Sequence, residues 1–231
     1  MHNNHETACW HIAKKGKTRM KAFHISFEGT NGAGKSTQAR ILVKHLCDYG
    51  IPTEYVKNPN GTAFSKVVMD AILAQSPYKL AEILAFAACF CQTANELVVP
   101  FIKRGICVVS DRGIGSAYAH ALYRCKGAIS EKLFIEIMTE INKDNVLFPD
   151  LTFLLSLPVE EGVARKKGLV SKNRLDALTP DSAREALAYE KLGKKFPNWV
   201  TINANSSIDR ISKRIWVETT KLLRRCADEQ R

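Results

Sequence analysis

"FEGTNGAGKST", residues 27–37, lies between an apolar run and a helical pattern. Gly29-Thr30-Asn31-Gly32-Ala33-Gly34-Lys35-Ser36 fits the spacing G-x-x-x-x-G-K-S/T. Glycines let a backbone curl so that successive N–H groups point at phosphate oxygens. A helix opening near Lys35 adds the positive end of its dipole. The spacing therefore predicts a triphosphate cradle of Gly29, Asn31, Gly32, Ala33, Gly34, Lys35, Ser36 and Thr37, with the Ser36 hydroxyl offered to Mg²⁺.

Working outward, "AFHISFEG", "TEYVK", "ICVVS", "LTFLLSL" and "WVTIN" read as five short strands. Helical spacing fills the intervals, at residues 35–49, in "TAFSKVVMDAIL", in "LAEILAFAACFCQTANELVVPFIKRG", and from about Ile208 to Arg225. Such alternation predicts an α/β fold of the P-loop NTPase class, a five-stranded parallel sheet flanked by helices on both faces. Ligands then bind beyond the carboxyl ends of the strands. Asp111 caps the third strand, where a carboxylate orients Mg²⁺ or its waters, and Arg112 follows it into the same cleft.

The chain has 231 residues and a formal net charge of +11. It contains neither basic-aromatic alternation nor a nucleic-acid motif, so the excess Lys and Arg point to polyanionic small molecules, with nucleic acid disfavoured. No uncharged apolar run of spanning length occurs, and the nearest stretch carries Gln92, Asn95 and Glu96. The seven cysteines form no CxxC pair, and buried free thiols in a reducing, cytoplasmic setting are expected. Residues 1–19 are polar and histidine-rich, a dispensable tail or a sequence preceding a true start at Met20. Without Lys14, Lys15, Lys17, Arg19 and Glu6 the charge falls from +11 to +8. Residues 20–231 read as one domain with a short basic lid at about 166–182.

"FEGTNGAGKST", "NPNGT", "ILAFAACFCQ" followed by "VVP", "VVSDR", "PDLTFLLSLPVEEGVAR" and "TINANSSI" together resemble the thymidylate kinases, a family of P-loop nucleoside monophosphate kinases. The resemblance runs from about residue 22 to 227. It implies ATP-dependent phosphorylation of a nucleoside monophosphate, first of all dTMP, with Mg²⁺ and commonly a homodimer through the helix containing residues 80–103. A related monophosphate, or nucleotide binding without turnover, are the alternatives. The catalytic positions implied are Lys35, Asp111, Arg112, Arg165 and Arg174, with Ser36 and Asp111 serving Mg²⁺. Ala204 and Asn205 resemble the loop that packs on adenine. Glu28, Asn31, Lys57, Phe86, Phe90, Arg112, Ser116 and His120 are the acceptor-side positions.

Departures from the family pattern gather on that acceptor side. Asn31 stands for a carboxylate, Lys57 for the Arg and Asn58 for the Glu of R-E-P-G-G-T. Phe90 replaces an Arg, and helical spacing places it on the same face as Phe86. Gly113 and His120 replace aromatic rings, which predicts a wider or less tightly walled pocket.

Overall fold

The computed structural model describes residues 21–75, 77–141, 148–166 and 180–228. Five strands form one parallel sheet: β1 (His24–Glu28), β2 (Thr53–Lys57), β3 (Cys107–Asp111), β4 (Leu151–Ser156) and β5 (Trp199–Asn203). Their spatial order is β2-β3-β1-β4-β5. The central strand β1 is buried at every residue although HISFE alternates polar and apolar side chains, so its polar groups must find partners inside the fold. Its histidine is no exception, because His24 Nε2 meets Ser110 Oγ at 2.8 Å inside the sheet.

The register sets the site. Phe27 pairs with Asp111 across β1 and β3, and Lys57 pairs with Asp111 across β2 and β3. The ends of all three strands therefore reach one level, and the chemistry-bearing residues lie just beyond them.

The helices are α1 (Lys35–Asp48), α2 (Ala63–Gln75), α3 (Lys79–Thr93), α4 (Val99–Lys103), α5 (Ile114–Tyr118), α6 (Glu131–Ile141), α7 (Val159–Lys166), α8 (Pro180–Lys195) and α9 (Ile208–Asp228). In α1 the buried residues Lys35, Gln38, Ala39, Leu42 and Leu46 keep helical spacing, and the chain turns out at Tyr49. Together with α9 this face closes the main core, in which Phe27 and Phe153 pack with ring centroids 5.3 Å apart. A second core joins α3 to α5 and α6 through Ile83, Phe90, Ala117, Phe134 and Met138.

Two features depart from the regular helices expected. α3 runs into α4 through a π-helical turn, Ala94–Val98, and α5 continues into another, Ala119–Arg124. The continuous stretch Lys79–Lys103 is long and apolar enough by composition to cross a membrane, yet it packs within the fold as a wall of the second core. Cys89, Cys91, Cys107, Cys125 and Cys226 are free thiols, as expected. Cys47 is disulfide-bonded, which corrects the free-thiol expectation there. It is only half-buried on α1.

Phe27→Ala removes a fully buried ring from the contact with Phe153. We expect a loss of about 3–5 kcal/mol, read by urea denaturation. A loss below ~1 kcal/mol would contradict a close-packed centre at this strand.

Candidate active site

The loop after β1 turns through positive φ at Gly29, Gly32 and Gly34 and delivers the chain to α1. Gly32 has a second constraint. A Cβ there would lie 2.2 Å from the Gly162 carbonyl oxygen, so the loop and α7 touch backbone to backbone. The N-terminus of α1 has no side-chain cap, and its first-turn N–H groups remain available to an anion. Lys35 Nζ donates to the carbonyls of Gly29 at 2.8 Å and Thr30 at 2.7 Å, which holds the buried ammonium inside the loop.

Ser36 Oγ donates to Asp111 Oδ2 at 2.5 Å, and the Tyr55 hydroxyl donates to the same oxygen at 3.0 Å. Tyr55 in turn lies under the Arg40 guanidinium, 4.3 Å from the ring centroid. Burial and then the Asp111 charge push the Tyr55 phenol well above its ordinary range, so it remains a donor. A hydroxyl and a carboxylate converging at a strand end are hard oxygen donors of the kind Mg²⁺ takes. These residues fit that ion.

The next residue, Arg112, has φ 72°, a left-handed conformation rare outside glycine. Three attachments hold it. Its N–H donates to the Phe27 carbonyl at 3.0 Å. Its own carbonyl accepts from Asn58 Nδ2 at 3.1 Å. Its guanidinium donates to Asn31 Oδ1, to Ser116 Oγ at 3.2 Å and to the Tyr189 hydroxyl at 3.4 Å. Burial opposes the charge, but Tyr189, Asp111, Glu28 and Glu185 around it outweigh that and raise its pKa.

Beneath Arg112 lies Glu28, fully buried at the end of β1. It accepts from Gly113 N–H at 2.9 Å, Ser116 N–H at 3.1 Å and Ser116 Oγ at 2.5 Å. Burial nevertheless raises its pKa, against the pull of Ser116 and Arg112. Glu28 is thus spent on the turn that carries Arg112 and Ser116. It lies beneath the acceptor side rather than on its surface.

One cavity of about 560 Å³ connects these parts. At one end it is lined by Gly32, Gly34, Lys35, Ser36 and Thr37, in the middle by Asp111 and Arg112, and at the other end by Phe86, Phe90 and His120. The far end carries charge as well as rings. His120 Nε2 meets Glu82 Oε1 at 2.9 Å, and Glu185 faces both His120 and Arg124. Burial lowers the His120 pKa, but Cys125, Glu185 and Glu82 outweigh it and hold the imidazole at about 10. Its ring also packs on Phe86, with centroids 4.2 Å apart.

Most of the expected site residues meet here. Lys35, Ser36, Thr37, Asn31, Gly32, Gly34, Lys57, Phe86, Phe90, Asp111, Arg112, Ser116, His120 and Arg165 all line the cavity. Arg165 is anchored at the edge, donating to the Ala204 carbonyl at 2.9 Å. Asn205 is bound to Glu161 Oε1 at 2.9 Å on the same side. Gly29 shapes the loop through its carbonyl, and Ala33 is buried beneath it. Arg174, with the lid segment 167–179, lies outside the described residues.

Gly113 corrects another expectation. Its missing side chain does not widen the cavity, because a Cβ there would sit 3.3 Å from both Glu28 Oε1 and Ser26 Cβ, on the inward side. Tyr55, Glu82, Arg124, Glu185 and Tyr189 are site residues that the sequence does not single out, and Asn58 supports the site in a way it does not suggest. None of these roles belongs to a local motif, and each arises only through tertiary packing.

Gly115 is a tight point of the packing around Glu28. A Cβ there would lie 2.5 Å from the Trp199 ring and 2.9 Å from Glu28 Oε1. Gly115→Ala should lower stability by about 1–3 kcal/mol, measured in urea. An unchanged midpoint would show that the turn carrying Arg112 has slack.

Comparison with known proteins agrees with this architecture. The chain matches the thymidylate kinase family over residues 27–215. It is 32% identical to the thymidylate kinase of Prochlorococcus marinus strain NATL2A, over 89% of this chain and 99% of that protein. It is 33% identical to a probable thymidylate kinase of Thermococcus onnurineus, over 81% of this chain and 92% of the relative. A 39% identity to the thymidylate kinase of Herpetosiphon aurantiacus covers 62% of this chain and 60% of that protein. With the loop, the strand-end aspartate and the parallel sheet all in register, the chain belongs to the thymidylate kinase family.

Proposed function

We propose that the protein transfers the γ-phosphoryl group of ATP to dTMP, giving ADP and dTDP. The observation that carries this reading is the single cavity that joins the phosphate loop to an aromatic chamber through Arg112. Phosphoryl transfer is chiefly positioning and charge neutralisation. The loop amides and the α1 N-terminus bind the triphosphate, and Lys35, already inside the loop, neutralises its terminal oxygens.

Arg112 stands between donor and acceptor phosphates. Its three side-chain partners fix the guanidinium before substrate arrives, so little ordering is left for the transition state. Lys57, at the end of β2, adds a second positive charge beside the acceptor phosphate. Phe86 and Phe90 wall the chamber for the base. Ser36 and Asp111 would hold Mg²⁺, which supplies charge neutralisation at the phosphates when bound. A phosphate acceptor is already ionised at neutral pH, and no strong general base is needed.

Arg165 and the basic segment 166–182, Arg174 included, complete the reading as a lid over the phosphates. The exposed Tyr78, Leu80 and Leu84 on and before α3 support a homodimer contact on that helix. Five of the six described cysteines are free thiols, which supports a cytoplasmic setting.

Two measurements test this reading. ADP release from ATP and Mg²⁺ should depend on an added acceptor and favour dTMP over dUMP, UMP, CMP and dGMP. Preference for another acceptor, or release that ignores acceptors, would overturn it. Lys35→Ala should slow dTMP-dependent release by roughly a hundred- to a thousandfold while far-ultraviolet circular dichroism stays unchanged. In the second measurement, Tyr55→Phe removes one of the two donors that aim Asp111. The Mg²⁺ concentration for half-maximal turnover should rise about tenfold, and an unchanged value would release Tyr55 from that role.

A further inference from the structure

We propose that Glu82, His120 and Cys125 form a binding site for a divalent cation of the zinc class, distinct from the Mg²⁺ position at Ser36 and Asp111. All three residues are buried, and their ligand atoms lie within 4.8 Å of one another. The contacts converge on one nitrogen. His120 Nε2 is 2.9 Å from Glu82 Oε1 and 3.6 Å from Cys125 Sγ. Zinc takes nitrogen and oxygen ligands at about 2.0–2.2 Å and sulfur at about 2.3 Å in tetrahedral geometry. That geometry separates neighbouring ligand atoms by roughly 3.3–3.7 Å. The nitrogen–sulfur pair already has this spacing, and the nitrogen–oxygen pair needs only a small opening.

The donor chemistry selects the class of ion. One imidazole, one thiol and one carboxylate suit zinc or its cobalt surrogate, whereas Mg²⁺ prefers an oxygen octahedron. Behind the imidazole, Nδ1 faces Glu185 Oε1 at 3.9 Å. A carboxylate in that place is the common outer partner of a metal-bound histidine. Arg124, 3.4 Å from Glu185, balances this second acid.

Charge also closes. A carboxylate and a thiolate offset the two positive charges of the ion, so no net charge is buried. The ion displaces two protons, one from the His120 imidazolium and one from the Cys125 thiol, and both leave to solvent. No redox change is involved.

Placement gives the site a consequence for the chamber. Glu82 lies one turn before Phe86 on α3, while His120 and Cys125 lie on and just after the π-helical turn Ala119–Arg124. An ion there pins two walls of the acceptor chamber together.

The test uses the reduced full-length chain without nucleotide, titrated with Co²⁺ and monitored by the thiolate-to-cobalt absorption band. We expect a band that saturates, that Zn²⁺ abolishes, and that loses one equivalent of cobalt in both Cys125→Ser and His120→Gln. The same chain contains His2, His5, Cys9 and His11, so the variants make the assignment. No band in the unaltered protein, or a band of full amplitude in both variants, overturns the proposal. The readout is independent of kinase turnover, and a protein inactive on dTMP could still bind cobalt here.

Discussion

A carboxylate with no access to water must find donors or give up its charge, and Glu28 is such a group. Its three donors come from Gly113, in the turn after β3, and from Ser116, in the first turn of α5. The central strand and its neighbour are therefore joined at their ends by more than sheet pairing. The turn that satisfies Glu28 is the turn that brings Arg112 into a left-handed conformation and its guanidinium into the middle of the cavity. Glycine at 113 and 115 answers the same demand, because a side chain at either place would press on Glu28. Tyr189 completes the arrangement from α8, with its hydroxyl 2.9 Å from Ser116 Oγ.

The frame of the molecule is legible in the sequence because its signals are local. CVVSD and LTFLLS are short, mostly apolar runs, and the G-x-x-x-x-G-K-S spacing lies where a strand meets a helix. Lys35, Ser36, Asp111 and Arg112 can be placed because they sit next to strand ends, which parallel topology brings to one level. Other site residues have no such signal. Tyr55 reads as an ordinary strand residue, and its hydroxyl matters only because β2 pairs with β3 in a register that puts it near Asp111. Tyr189 and Glu185 lie on a helix separated from the loop by most of the chain. Glu28 looks like a surface ligand in the sequence, since burial depends on the residues that pack above it.

The departures on the acceptor side divide once they are placed in three dimensions. Gly113 belongs to the support of Glu28, and Asn58 holds the Arg112 carbonyl. Asn31 accepts from the Arg112 guanidinium without adding a negative charge beside the phosphates. Phe90 and His120 belong to the chamber itself, one as an apolar wall and the other as a cation held among acids. Two groups of changes thus answer two separate demands, support of an arginine and the shape of a chamber.

The π-helical turns carry a consequence of a different kind. Each fits one more residue into a turn than an α-helix does, without breaking the helix. One ends α3 beyond Phe90, and the other holds His120 and Arg124. Since one residue corresponds to about 100° of helix rotation, the first of these turns rotates α4 relative to α3, and the second sets the direction in which the chain leaves α5. The winding of Ala119–Arg124 thus fixes where Cys125 stands relative to His120, 3.6 Å from its Nε2, at the end of the cavity away from the phosphate loop. One end of the cavity is therefore shaped by how a helix is wound, and the other by how a glycine loop is curled.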